Sequence, residues 1–153
     1  MPEPTNPSAK DTLPEPGWIH RRLVELYLAA VDGDFAAALA LIDPDVVDHR
    51  GGTSGDHVGR DAWRRKWERA AATDIQVASV TIEQNVSAGD VSANRYTLRG
   101  LHAPSGRRFE VMGLDMVRVR NGMVVEHWAV LDGEAMAAQL GRGINPAGPA
   151  DTR

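Results

Sequence analysis

The chain has 153 residues, 42% apolar and 25% charged, with a net charge of −4 at pH 7. That length suits one domain with a substantial core, and the balance excludes a fibrous or wholly disordered chain. Both charge signs are interspersed without a basic stripe, which argues against nucleic acid as a partner, and the absence of cysteine excludes disulfides, thiolate nucleophiles and cysteine-based zinc sites.

Residues 1–16 are rich in proline and polar groups and predict a disordered leader; residues 143–153 predict a similar tail, leaving 17–142 as the folded domain. The leader lacks the apolar segment of a signal peptide, and no stretch reaches the roughly 18 apolar residues of a membrane-spanning helix, so no membrane contact and a cytoplasmic location are the default expectations. Ile19, Leu23, Leu26, Tyr27, Ala30 and Val31 recur at the spacing of one helical face, and Gly33 follows as a stop. Asp34 is placed to cap a short second helix through FAAALALI, which should end before Asp43-Pro44 because a residue preceding proline avoids helical angles. PDVVDHR reads as a brief extended piece and GGTSGDHVG as a loop. Asp61 can cap a third helix in which Trp63, Trp67, Ala70 and Ala71 share a face, so both tryptophans should point inward.

From Ile75 onward the period changes to two. IQVASVTIEQNV, DVSANRYTLRGLHA, RRFEVMGLDMVRVR and MVVEHWAVLD are divided by Ala88-Gly89-Asp90, Pro104-Ser105-Gly106 and Asn121-Gly122, the last being the clearest hairpin signal. Helices first and a four-stranded antiparallel meander afterwards predict an α+β fold, with three N-terminal helices packed on one face of a curved sheet. A short segment, Gly133–Gly141, would close one end, and Asp132 is placed to cap it.

This order, together with VVEHW at Val124–Trp128, DMVR at Asp115–Arg118, Asn121-Gly122 at the hairpin and QLG at Gln139–Gly141, resembles the SnoaL-like polyketide cyclase family. The resemblance covers about residues 18–142. It implies the nuclear transport factor 2-like cone, with a cofactor-free pocket for a small hydrophobic molecule between the helices and the concave sheet face, in a homodimer. In the founding cyclases the acid/base aspartate lies two residues after the histidine of the EHW-type motif, a place taken here by Ala129; those cyclases also carry histidine where this chain has Asp115. Histidines common in the family correspond to His49 and His102.

Strict alternation would set Val125, His127, Ala129 and Leu131 on one face of the last strand and Glu126, Trp128, Val130 and Asp132 on the other, so His127 alone of the three ionisable groups faces inward. Asp115 sits among Val111, Met112, Gly113, Leu114, Met116 and Val117, where a buried carboxylate needs a partner. A histidine bonded to it through one ring nitrogen would gain basicity at the other, which makes Asp115, His127 and His49 the candidate catalytic set. If His102 faces the pocket, Tyr96, Leu98 and Gly100 do so too; Tyr27, Trp63, Trp67, Tyr96, His102 and Ala129 are the candidate substrate-binding residues. Simpler roles compete: an ion pair of Asp115 with Arg118 or Arg95, a packed or surface position for each histidine, and plain core packing for Tyr27, Trp63 and Trp67. No HxH or HExxH spacing points to a metal.

The expected function is cofactor-independent acid/base chemistry, such as cyclisation or isomerisation, on an apolar cyclic carbonyl compound. The alternatives are a non-catalytic module that binds a hydrophobic ligand or dimerises, which Ala129 favours, and an epoxide hydrolase of the same fold, which would need a carboxylate–arginine–carboxylate cluster.

Overall fold

A computed structural model describes residues 13–49 and 55–141. The chain runs α1 (Pro16–Glu25), α2 (Tyr27–Val31), α3 (Ala36–Leu39), β1 (Ile42–His49), β2 (His57–Val58), α4 (Arg60–Ala71), β3 (Ile75–Ala88), β4 (Val91–His102), β5 (Arg107–Arg120), β6 (Met123–Leu131) and α5 (Gly133–Leu140). The four long strands form the expected meander. They belong to a six-stranded sheet in the order β2-β1-β6-β5-β4-β3, in which β1 joins β6 in parallel and every other pairing is antiparallel.

Local chemistry accounts for most of these boundaries. Asn121 and Gly122, at φ 51° and 75°, turn the β5–β6 hairpin, the left-handed pair that matches the twist of adjoining strands. Asp132 caps α5 by accepting from the Ala135 N–H at 2.9 Å. Trp63 and Trp67 lie on the buried face of α4.

Several expected boundaries move. The first helical face is divided at Leu26, whose N–H is shared between the Arg22 and Val24 carbonyls, so α1 and α2 replace one helix. The second helix is only Ala36–Leu39 and receives no side-chain cap from Asp34. Helix α4 starts at Arg60, which places Asp61 inside its first turn, where its charge meets the helix dipole instead of capping. The brief extended piece is an eight-residue strand, β1, that begins before Pro44; the register against β6 shifts between Ile42 and Val47, and a proline without an N–H fits that irregularity. Of the expected leader, residues 1–12 lie outside the described residues and Pro16 already opens α1; the tail and loop residues 51–54 also lie outside them.

One buried cluster joins Ile19, Leu23, Trp63 and Trp67 of the helices to Val117 and Val124 of the sheet; a second joins Leu98, Phe109 and Val111 to Leu140 of α5. Helices α1 and α4 thereby cover the inner sheet face, leaving a hollow between them. Among the described residues no helix is long and apolar enough to cross a membrane.

Candidate active site

The hollow between α1, α2, α4 and the inner sheet face measures about 240 Å³ and is lined by His20, Tyr27, Trp63, Tyr96, Asp115 and His127, among mostly apolar neighbours. Each polar group arrives by the geometry of its own element. His20 lies three and seven residues before Leu23 and Tyr27 on the inward stripe of α1 and is 1% exposed. On β1, Val46 is buried, so Asp48 two residues later also faces inward and His49 faces out. On β5, Asp115 alternates inward with Val111, Gly113 and Val117.

His127 reaches the hollow through an irregularity. The β5–β6 register passes from Arg118↔Glu126 to Val119↔Val124, leaving Val125 without a partner. This bulge puts Val124, and not the expected Val125, on the inner side with His127; beyond it His127, Ala129 and Leu131 line the hollow. Glu126 belongs to the opposite face, where it meets His49 and Arg118.

Parallel pairing of β1 with β6 sets Asp48 beside His127, and Asp48 Oδ1 accepts from His127 Nδ1 at 2.7 Å. Lys66 Nζ, on α4, donates to the other oxygen of Asp48 at 3.0 Å and lies 4.7 Å above the Trp63 ring. Burial pushes the Asp48 carboxyl up, but His127 and Lys66 overcome it and hold it well below the usual range. With its Nδ1 proton committed to Asp48, neutral His127 carries its lone pair on Nε2, 3.8 Å from Asp115 Oδ2.

Asp115 Oδ2 also lies 3.1 Å from His20 Nε2, although the N–H points off the line of a full hydrogen bond. Burial again raises the carboxyl, and the protonated forms of His127 and His20, by hydrogen bonding and charge, bring it down to about 2. The competing arginine pairs of Asp115 do not form among the described residues: Arg118 binds Glu126 at 2.7 Å and Asp90 at 2.8 Å, and Arg95 Nε lies 3.2 Å from Met112 Sδ. Tyr96 is pushed up to about 12 by burial, then by the Asp115 charge and Tyr27, and so remains a hydrogen-bond donor at neutral pH. It is seated by Gly113, where any Cβ would overlap the Tyr96 ring and hydroxyl.

The structure thus brings Asp115, His127, Tyr27, Trp63, Trp67, Tyr96 and Ala129 to one hollow. It does not bring His49 or His102 there. His49 is on the outer sheet face, stacked on Trp128 at 4.8 Å and bonded to Asp56 and Glu126, because alternation on β1 sends Asp48 inward in its place. His102 ends β4 away from the hollow, 2.8 Å from Ser105 Oγ and 4.0 Å from Asp74. Sequence reading missed His20, Asp48 and Lys66. The spacing of His20 from Leu23 and Tyr27, and of Asp48 from Val46, carried the signal for the first two; Lys66 needed the fold. Among the described residues, no group of three or more His, Cys, Asp or Glu is disposed to hold a metal ion.

Known proteins share this architecture. IdmH of Streptomyces antibioticus, a candidate polyketide cyclase, is 35% identical over 84% of this chain and 99% of its own, with a TM-score of 0.71. TsrD of Streptomyces laurentii is 26% identical over 81% of this chain and 96% of its own, with a TM-score of 0.66. A Catenulispora acidiphila protein with a ketosteroid isomerase-like fold, at 22% identity, 86% and 96% coverage and a TM-score of 0.68, shares the fold. No curated protein matches the chain. Residues 21–140 match the family described as SnoaL-like polyketide cyclase, and the chain belongs to that family.

Proposed function

We propose that this chain is a cofactor-independent enzyme that moves a proton from carbon adjacent to the carbonyl of an apolar cyclic compound. The observation that carries this reading is the row Asp48–His127–Asp115, in which an oriented imidazole presents Nε2 at a hollow of apolar walls. His127 is the base. The substrate C–H bond breaks, its proton goes to Nε2, and its electron pair moves into the carbonyl oxygen. The resulting imidazolium lies between two carboxylates, Asp48 and Asp115, which offset its charge. Tyr96 donates to the oxygen that gains charge. The enolate carbon then either attacks a second carbonyl carbon, whose oxygen takes the proton back from His127, or recovers the proton at another carbon; the first outcome is cyclisation and the second isomerisation. Asp115, held at about 2, is too weak a base to start this and acts as the fixed negative charge.

Ala129 supports a second reading. It lies in register with Asp115, at the place where the founding cyclases carry their acid/base aspartate, so a hollow that binds a hydrophobic ligand without turnover is the competing function. The epoxide-hydrolase reading has no support in the hollow: Glu126–Arg118–Asp90 is a carboxylate–arginine–carboxylate cluster, but it stands on the outer sheet face with His49.

Deuterium exchange beside the carbonyl of a bicyclic ketone such as 2-tetralone, followed by NMR in D2O, tests the proposal. The native chain should accelerate exchange and His127→Ala should remove the acceleration. Exchange at the background rate across such ketones, with binding retained, would leave the non-catalytic reading. The second partner proposed is another copy of the chain: the outer face exposes Val86 (68%), Leu114 (50%) and Val130 (57%) around a hollow of about 590 Å³, an apolar surface suited to pairing.

A further inference from the structure

A chain of hydrogen bonds runs from the surface of α1 to His20 and Asn94, the neighbours of Asp115, along a route that the proton transfer itself does not use. Arg21 Nη1 donates to Asn85 Oδ1 at 2.8 Å. With its oxygen engaged, the Asn85 amide directs Nδ2 at Ser92 Oγ (2.8 Å), Asn94 Oδ1 (2.7 Å) and the Ala93 carbonyl (3.3 Å). A guanidinium only donates and a carbonyl only accepts, so the reversed amide would set donor against donor and acceptor against acceptor. Helix α1 can approach this closely because position 17 is glycine: a Cβ there would stand 2.8 Å from Asn85 Oδ1 and 2.7 Å from Ser87 Oγ.

The amide orientation is passed inward along two arms. Ser92 Oγ, fully buried, has two partners among the described residues, Asn85 Nδ2, which only donates, and His20 Nδ1 at 3.1 Å, so His20 Nδ1 is the one acceptor for the hydroxyl proton. Neutral His20 must therefore carry its ring proton on Nε2, the nitrogen 3.1 Å from Asp115 Oδ2. Along the other arm, Asn94 Oδ1 is occupied by Asn85, which leaves Asn94 Nδ2 as an unspent buried donor. Asn94 is the register partner of Asp115, whose Oδ1 is an equally unspent buried acceptor.

We propose that Asn85, anchored by Arg21, is a positioning residue that sets where the protons of the acid/base cluster sit. It holds His20 as the Nε2–H tautomer, with that N–H on the side of Asp115 Oδ2. Asp115 Oδ2 then faces the His20 N–H and stays a carboxylate, so His127 is the group left to exchange a proton. The consequence for catalysis rests on the acid/base reading above, whereas the tautomer itself does not.

Long-range proton–nitrogen NMR of the full chain, labelled at histidine, reads the proposal directly. Assignment of His20 comes from the signals lost in His20→Gln. The native chain should show His20 protonated at Nε2 and bare at Nδ1, and His127 the reverse. Asn85→Asp keeps the size of the side chain and a partner for Arg21 but removes both N–H arms; Ser92 then donates to the new carboxylate and accepts from His20, so the His20 Nδ1 signal should move to the protonated position. A native His20 protonated at Nδ1 overturns the proposal with no variant needing to fold. An Asn85→Asp chain whose His20 Nδ1 stays bare overturns it as well. If both tautomers are as expected while ketone exchange is absent, the acid/base reading fails and the positioning role stands.

Discussion

Asp48 and His127, 79 residues apart, are direct neighbours across the parallel β1–β6 pairing and share a 2.7 Å hydrogen bond. That bond decides which ring nitrogen of His127 faces the hollow as a base. In Asp48→Asn the amide N–H would donate to Nδ1, moving the ring proton to Nε2 and removing the lone pair from the site. Ketone exchange should fall by about 10²- to 10⁴-fold with the near-UV circular dichroism unchanged. A rate within a few fold of native would remove Asp48 from the mechanism.

Asp115 should register in acid stability. Its carboxyl titrates at about 2 in the fold against an ordinary 3.8. A carboxyl depressed in this way contributes stability that is fully present above the ordinary value and disappears as pH falls through the folded one; the contribution is about 2 kcal/mol. Urea unfolding across that acid window should show a steeper loss for the native chain than for Asp115→Asn. Parallel pH slopes would mean that the two imidazoles do not hold the carboxylate in solution.

Gly113→Ala tests the seat of Tyr96. The added methyl overlaps the Tyr96 ring and should cost roughly 1–3 kcal/mol, read as a lower urea midpoint. Gly113→Ala combined with Tyr96→Leu should recover much of that stability and none of the exchange activity. Recovery of activity along with stability would show that the phenol is not the oxygen's donor.

Ala129→Asp restores a carboxylate where the founding cyclases have one. Because residue 129 lies in register with Asp115, two carboxylates would share the site and one would be raised toward neutrality, becoming a second proton acceptor. A gain of cyclisation of an aromatic polyketide ester is the expected outcome. Without that gain, the hollow does not have the pose a cyclase needs.

Leu114 and Val130 are register partners on the outer face, and both are half-exposed or more. Replacing both with aspartate should turn a dimer into a monomer in sedimentation velocity, with the inner hollow unaffected. A native chain that sediments as a monomer at tens of micromolar would end the proposed pairing.

The periodicities of the chain were enough to place much of this architecture. Helical spacing set Trp63 and Trp67 inward, the change of period at Ile75 announced the meander, Asn121-Gly122 marked its last hairpin and Asp132 marked the start of α5. Each of these is a local property, decided within a few residues by side-chain spacing or turn chemistry. Asp115 and His127 were legible as well, because an ionisable group inside an apolar strand has a cost that some partner must offset.

The identity of those partners was decided only by the tertiary structure. Placing β1 beside β6 exchanged the expected His49 for Asp48, and one unpaired residue at Val125 changed which neighbours share the His127 face. Packing α1 across β3, β4 and β5 brought His20 to Asp115 and Arg21 to Asn85. Strand neighbours and helix docking are long-range choices made by closing the sheet around a core, whereas alternation is a rule of the single strand that one bulge can invert. The sequence therefore determined which residues needed partners, and the fold determined which partners they met.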